Sequence, residues 1–379
     1  MKPFRIEIPE TELQDLRTRL ARTRWPDRIA DDWASGTDGD WLQEICHYWA
    51  EQYDWRQHEA ALNRHPQFIL PVGEQPLHFI HQRSPESGAR PLLLIHGWPG
   101  SVVEFRHVID ALTDPVAHGG RAEDAFHVVA PSLPGYGFSP PPQQHGVNGR
   151  VCAEYLAELM SRLGYSRYFA QGGDWGSHVS TWLGAIDPAC AGIHLNLVFA
   201  RRPRDGDPFA RVSEQEQARL SASQARTRNG MGYQEIQGTR PQTLGVALND
   251  SPAGLAAWIL EKFHGWTDHA GDPETAVSRD DMLTNVSVYW FTRSITSSMR
   301  LYYEHRQHPS DPPAPGFIKV PTAVAAFPGE LYQPPRDWIE RAYNLQHYSV
   351  QPRGGHFAAL EAPDLLVTDI RAALGQFSL

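Results

Sequence analysis

Within residues 91–199 the chain contains PLLLI, FHVVAP, YFAQ and IHLNLVF, four short apolar segments separated by patterns of helical period. A strand wetted on one face alternates apolar and polar residues, so strands this uniformly apolar must be covered on both faces. Their alternation with helices predicts an α/β fold with a mostly parallel central sheet. Connecting helices are expected at residues 104–112, 149–163 and 177–186. The alternation resumes with FIKVPTAVAAF and LQHYSVQ and ends on a helix at 363–374.

Two stretches do not fit this alternation. The first 65 residues hold five of the twelve tryptophans (Trp25, Trp33, Trp41, Trp49, Trp55) around two helical patterns. Leu13, Leu16 and Leu20 recur behind Thr11, a candidate cap, and Leu42, Ile45 and Trp49 repeat the spacing. PQFILPVGEQPLHFIHQRS then reads as strands at 68–70 and 77–81 about a turn at Gly73. Over 201–307 strand patterns vanish and helices are expected at 252–263 and 287–303, marking an inserted helical unit. The expected division is an N-terminal helical extension wrapping the core (1–90), a first core segment (91–200), the helical insert (201–307) and a second core segment (308–379). Residues 140–142 and PSDPPAPG at 309–316 are expected as loops or linkers.

Composition narrows the function classes. Of 379 residues, 41% are hydrophobic and 21% charged, which fits a folded globular protein rather than a disordered one. Thirty-four Lys and Arg against 44 Asp and Glu leave a net charge of −10, the wrong sign for a nucleic-acid partner. Three cysteines without a C-x-x-C pair suggest neither a disulfide framework nor a cysteine zinc site. No apolar run approaches the ~20 residues of a membrane span, and MKPFRIEIPE is not a secretory signal. A cytoplasmic location without a membrane anchor is expected.

The sharpest chemical signal is QGGDWGS, which places Asp174 between an apolar strand and a helix expected near Ser177. A strand-to-helix turn this tight needs small neighbours so that its central side chain projects into a pocket, as in the nucleophile elbow G-x-S-x-G. Asp174 stands where Ser would, and a carboxylate is ionised at neutral pH, with a free pKa near ~3.9, so it needs no base to attack. A capping Asp at a helix start fits the same window. HGWPGS, at 96–101, follows PLLLI at the place where an α/β hydrolase contributes one oxyanion-hole amide, the other coming from the residue after the nucleophile. The candidate amides are those of Trp98 and Trp175, and a plain Gly-Pro turn is the competing reading.

RGGHFAALEAP places His356 late in the chain, after a strand and before the last helix. Nucleophile, acid, then late His is the hydrolase order of triad members. Glu330, just after VPTAVAAF in AAFPGELYQP, is the favoured acid by its strand-end position; Asp337, in the helical PRDWIERAY, is its competitor.

Together, HGWPGS, GGDWGS, FPGEL and RGGHFAALE resemble the epoxide hydrolases of the α/β-hydrolase superfamily, and in particular the microsomal-type branch with an N-terminal epoxide hydrolase extension. RIEIPETELQDLRTRLARTRWPD is similar to that extension, and MGYQEIQGTRPQTLGVALNDSPAGLAAWILEKF and LTNVSVYWFTRSITSSMRLYYE are similar to the family's cap. The resemblance implies Asp174 as nucleophile, His356 as base, Glu330 as its orienting acid, and Tyr233 and Tyr302 as cap tyrosines that hold the epoxide oxygen. Tyr303 is adjacent, and helical neighbours point about 100 degrees apart, so only one of the pair can face the site. Without the family, both tyrosines would read as ordinary core.

It implies hydrolysis of an epoxide to a vicinal diol through an aspartyl ester, without metal or cofactor. The expected partner is a small epoxide. Trp258, Trp266, Tyr289, Trp290 and Phe291 lean toward an apolar or aromatic one, and a homodimer is plausible for the type. Family members serve xenobiotic detoxification and natural-product tailoring alike. Two alternatives share the fold: a haloalkane-type dehalogenase with the same Asp, His and acid, and a non-catalytic ligand-binding protein. An esterase is excluded by the lack of G-x-S-x-G. HRQH (305–308) and the pair His78 and His81 have metal-compatible spacing without a third ligand.

Overall fold

The computed structural model describes residues 1–30, 32–228, 230–309 and 316–379. Most of the expected linker PSDPPAPG lies outside the described residues. A short strand β1 (Lys2–Phe4) leads to helices α1 (Glu10–Ala21), α2 (Gly39–Glu51) and α3 (Trp55–Leu62). Leu13, Leu16 and Leu20 are buried along one face of α1, and Leu42, Ile45 and Trp49 along one face of α2. Each buried Leu or Ile contributes about 1.5–3 kcal/mol relative to exposure. Thr11 is not the cap: Pro9 precedes the helix, its carbonyl accepts from Glu12 and Leu13, and Thr11 sits in the first turn.

Strands β2 (Gln67–Val72) and β3 (Gln75–Gln82) form a hairpin about Gly73, at φ 54°. They are followed by β4 (Arg90–Ile95), α4 (Ile109–Thr113), β5 (Phe126–Pro131), α5 (Gly149–Arg162), β6 (Tyr168–Gly172), α6 (Asp174–Ile186) and β7 (Cys190–Leu195). The helix expected at 104–112 is a 3-10 turn, Val102–His107, and then α4. IHLNLVF is strand only to Leu195, and that strand begins earlier, at Cys190.

The insert comprises α7 (Glu214–Thr227), α8 (Gly232–Thr239), α9 (Pro241–Asp250), α10 (Pro252–Trp266), α11 (Arg279–Thr292) and α12 (Ile295–Gln307). The helix expected at 287–303 is two helices, because Arg293 adopts φ 54° and breaks the ladder between α11 and α12. The hydroxyls that follow bond back along the chain, Ser298 to the Ile295 carbonyl and Ser297 to that of Ser294. The chain closes with β8 (Ile318–Ala326), α13 (Arg336–Ala342), β9 (Tyr343–Val350), α14 (Ala358–Glu361) and α15 (Pro363–Leu374).

Among the described residues nine strands join one sheet in the order β1-β2-β3-β5-β4-β6-β7-β8-β9. Pairing is antiparallel from β1 to β5 and parallel from there to β9. The N-terminal helices tie the insert down: Trp49 Nε1 donates to Ser287 Oγ at 2.9 Å, and Tyr53 and Thr284 share a hydrogen bond of 2.9 Å. Among the described residues no helix is long and apolar enough to cross a membrane.

Candidate active site

From β4 the chain turns to β5 on one side of the sheet, and from β6 it turns to β7 on the other. The carboxyl ends of β4 and β6 therefore flank a topological switch point, where open α/β sheets bind ligands. Ile95 is in register with Gly172, so the segments after both strands emerge side by side. Asp174 leaves that crevice at φ 47°, a left-handed conformation that costs a non-glycine residue about 1–3 kcal/mol. It is also the first residue of α6, three residues before the start expected at Ser177. A Cβ at Gly176 would overlap the Ile95 carbonyl, and one at Gly97 would overlap the Asp174 carboxylate, so both positions require glycine.

Asp174 Oδ1 accepts from the Trp98 amide at 2.7 Å. Trp175 occupies the second position of α6, where an amide has no acceptor within the helix. Asp174 Oδ2 lies 3.5 Å from His356 Nε2. The His356 loop is held by three features: a bridge between Gly329 and Gly355, Gly354 at φ 99°, and a hydrogen bond of 3.0 Å from the His356 amide to the Trp266 carbonyl. His356 Nδ1 stands 2.7 Å from Glu330 Oε1, which also accepts from the Leu331 amide at 2.6 Å. Burial disfavours an imidazolium here, but the Glu330 and Asp174 carboxylates outweigh it and raise the His356 pKa well above the usual value. Asp337 stands apart on α13, bonded to Arg211 at 2.5 Å and to Arg341 at 2.8 Å.

Tyr233 on α8 and Tyr302 on α12 close over this group. Their rings are 5.8 Å apart, and Tyr233 stacks on Trp98 at 5.1 Å. The Tyr302 hydroxyl is buried close to Tyr233 and Trp175 but has no partner at hydrogen-bond geometry among the described residues. Burial raises both phenols, which stay protonated at neutral pH. Tyr303 turns away toward His145, their rings 6.5 Å apart.

A cavity of about 380 Å³ opens above Asp174, walled by Trp175, Phe199, Tyr302 and Tyr332 with His178 and Arg201 between them. The five aromatics singled out in the sequence are not among its walls. Phe291 packs on Trp55, Trp290 takes the Arg19 guanidinium, Trp258 donates to Gln237 at 3.0 Å, and Trp266 stands edge-on to His356. The Tyr289 hydroxyl instead donates 2.7 Å to the Gly100 carbonyl while Asn285 donates 2.7 Å to that of Pro99, so α11 clamps the HGWPGS loop.

Sequence reading missed Glu104, a carboxyl enclosed beside this group. Its signal was a Glu just after HGWPGS on a segment read as an ordinary helix. His78 bonds Ser132 and Gln67 in the core, and among the described residues no cluster of three or more His, Cys, Asp or Glu could hold a metal.

Residues 1–105 match the family model described as "Epoxide hydrolase N terminus", and residues 90–215 match that of the "alpha/beta hydrolase fold". The chain is 49% identical over 379 residues to "Putative epoxide hydrolase" of Stigmatella aurantiaca (strain DW4/3-1), covering 99% of this chain and 84% of that one. It is 39% identical to "Epoxide hydrolase 1" of Sus scrofa, covering 99% and 88%. The solved structure of Aspergillus niger epoxide hydrolase superposes with a TM-score of 0.88 at 33% identity, covering 100% of this chain and 96% of that one.

Proposed function

The chain belongs to the epoxide hydrolase family, and from that membership we propose how it opens an epoxide to a vicinal diol: through a covalent ester on Asp174. One observation carries the proposal: the Asp174 carboxylate, strained at the switch point, lies between the Trp98 amide and the His356–Glu330 pair. Asp174 attacks a ring carbon while Tyr233 and Tyr302 hold the epoxide oxygen. The C–O bond breaks, and a tyrosine gives the developing alkoxide its proton.

Ester formation removes the negative charge of Asp174. His356 then loses one of the two carboxylates that stabilise its charged form, so its pKa falls when a base is needed. Neutral His356, held by Glu330, takes a proton from water as the water oxygen attacks the Asp174 ester carbon. The tetrahedral oxyanion is held by the amides of Trp98 and Trp175. When the ester bond breaks, His356 returns a proton to the leaving diol oxygen, and the proton left on Asp174 restores the tyrosine.

The same reading takes residues 201–307 as a cap on a core formed by 91–200 and 308–379, with 1–90 as the extension that anchors the cap. The aromatic walls of the cavity suit an apolar or aryl epoxide. Three free, buried thiols, Cys46, Cys152 and Cys190, fit a cytoplasmic location.

The test is a single turnover of excess enzyme with styrene oxide in oxygen-18 water, followed by mass spectrometry of the Asp174 peptide. Label in the Asp174 carboxylate with unlabelled first diol is expected. Labelled diol with unlabelled Asp174 means that water opened the ring directly, and the role of Asp174 is then wrong.

A further inference from the structure

Asp174 also borders a second, inner and much smaller void, which Glu104, Gln171, Asn196 and His356 line as well. Its volume open to a water centre is about 10 Å³, close to the least that holds one molecule. Asp174 borders both cavities, whereas His356 borders only the inner one. A substrate bound in the larger cavity and the base lining the smaller one therefore meet at the same carboxyl.

The inner void has polar groups aimed at it with bonds to spare. Gln171 Nε2 donates to Asn196 Oδ1 at 2.8 Å, while Gln171 Oε1 is buried with no partner among the described residues. Glu104 comes from the 3-10 turn Val102–His107, and its Oε1 fills the place a Cβ at residue 100 would need, so Gly100 makes room for it. The side chain keeps part of its accessible area, yet desolvation dominates its chemistry. Burial first, and then the Asp174 carboxylate, push the Glu104 pKa up to about 8 against the opposing pull of His356, so the carboxyl is mostly protonated at neutral pH and can donate.

We infer that this chamber seats the water that hydrolyses the Asp174 ester, and that Glu104 and Gln171 hold that water in line for attack. The inference rests on the ester mechanism proposed above. The water donates one hydrogen to neutral His356 Nε2 and the other to Gln171 Oε1, and accepts from the Glu104 O–H. Its remaining lone pair points at the Asp174 ester carbon. As the new C–O bond forms, the O–H bond toward His356 breaks and the proton passes to Nε2. Glu104 and Gln171 gain and lose nothing; they fix the position and orientation of the nucleophile.

The experiment separates the two half-reactions. Wild type, Glu104→Leu, Glu104→Gln and Gln171→Met are mixed in excess with styrene oxide and quenched over time, and the Asp174 ester and the diol are followed by intact mass and chromatography. In Glu104→Leu, ester formation stays within about threefold of wild type while its hydrolysis slows about 10²-fold, so that ester accumulates. Glu104→Gln, which keeps a donor and an acceptor, recovers most of that loss. Gln171→Met slows hydrolysis by about tenfold with Glu104 in place. Equal slowing of both steps, or unchanged hydrolysis in Glu104→Leu and Gln171→Met, overturns the inference while leaving the ester mechanism standing. Wild type that makes diol with no ester on Asp174 overturns the mechanism, and the inference with it. Because Glu104→Gln and Gln171→Met retain polarity or volume, one misfolded variant does not remove the test.

Discussion

Glu330 Oε1 and His356 Nδ1 lie 2.7 Å apart although 26 residues separate them in the chain. The bridge from Gly329 to Gly355, one residue before each, fixes that approach. Both side chains are 2% exposed, so the pair is shielded from solvent and its hydrogen bond selects the tautomer that leaves Nε2 toward Asp174. Glu330→Gln is expected to lower the rate of ester hydrolysis about 10²–10⁴-fold by holding the wrong tautomer, while the rate of ester formation changes far less. Pre-steady-state kinetics measures both; equal loss in the two steps sinks the assigned role.

Tyr302 offers a contrast between activity and stability. Its hydroxyl is buried and lacks a hydrogen-bond partner among the described residues, so Tyr302→Phe removes an unsatisfied polar atom at little cost. Thermal unfolding should show a stability unchanged or raised by about 1 kcal/mol. Ester formation should slow about 10–10²-fold, because one donor to the epoxide oxygen is gone. A variant that is destabilised yet fully active would identify Tyr302 as packing alone.

Gly176 is fixed by steric contact. A Cβ there would enter the Ile95 carbonyl, which is backbone and cannot swing aside. Gly176→Ala is expected to cost at least about 2–3 kcal/mol and to displace Asp174 from the Trp98 amide. Chemical denaturation and the single-turnover rate should both respond, whereas Gly232→Ala, which meets nothing within reach, should leave stability within about 0.5 kcal/mol.

Acid should destabilise the fold through buried imidazoles. Burial lowers His78 and His178 to about 3 and His81 and His96 to about 4. Their folded pKa values lie below the unfolded value near ~6.5, so the unfolded chain binds more protons as pH falls. Their stabilisation is present above that value and drains away between about pH 6.5 and 4, at up to about 1.4 kcal/mol per histidine per pH unit. Glu104, raised to about 8, and Glu361, raised to about 7, act oppositely over part of that window, but four histidines outweigh two carboxyls. Urea unfolding from pH 7 to 4.5 should show the net fall, and His78→Gln should show a shallower one; an unchanged slope in the variant rejects this account.

The elbow around Asp174 was readable because its constraints are local: a tight turn demands glycines at fixed offsets from the projecting side chain. The α11–α12 break was not, since Arg293 takes a left-handed conformation without the Gly or Asn that usually announces one. That the aromatics of the insert do not wall the cavity was hidden for a related reason. Composition says that rings must be buried, and packing against α1, α3 and the HGWPGS loop satisfies that demand as well as a substrate cavity would.

By itself, then, the sequence determined the strand-helix alternation, the order of Asp174, Glu330 and His356 along the chain, and the side chains available for chemistry, because each follows from residue type and short-range spacing. Only the tertiary structure decided that Glu330 rather than Asp337 meets His356, that Tyr302 rather than Tyr303 shares a cavity with Asp174, and that Glu104 lines a small void with both members of the Asp174–His356 pair. Those outcomes depend on strand order and on contacts between segments far apart in the chain, and no local preference encodes them.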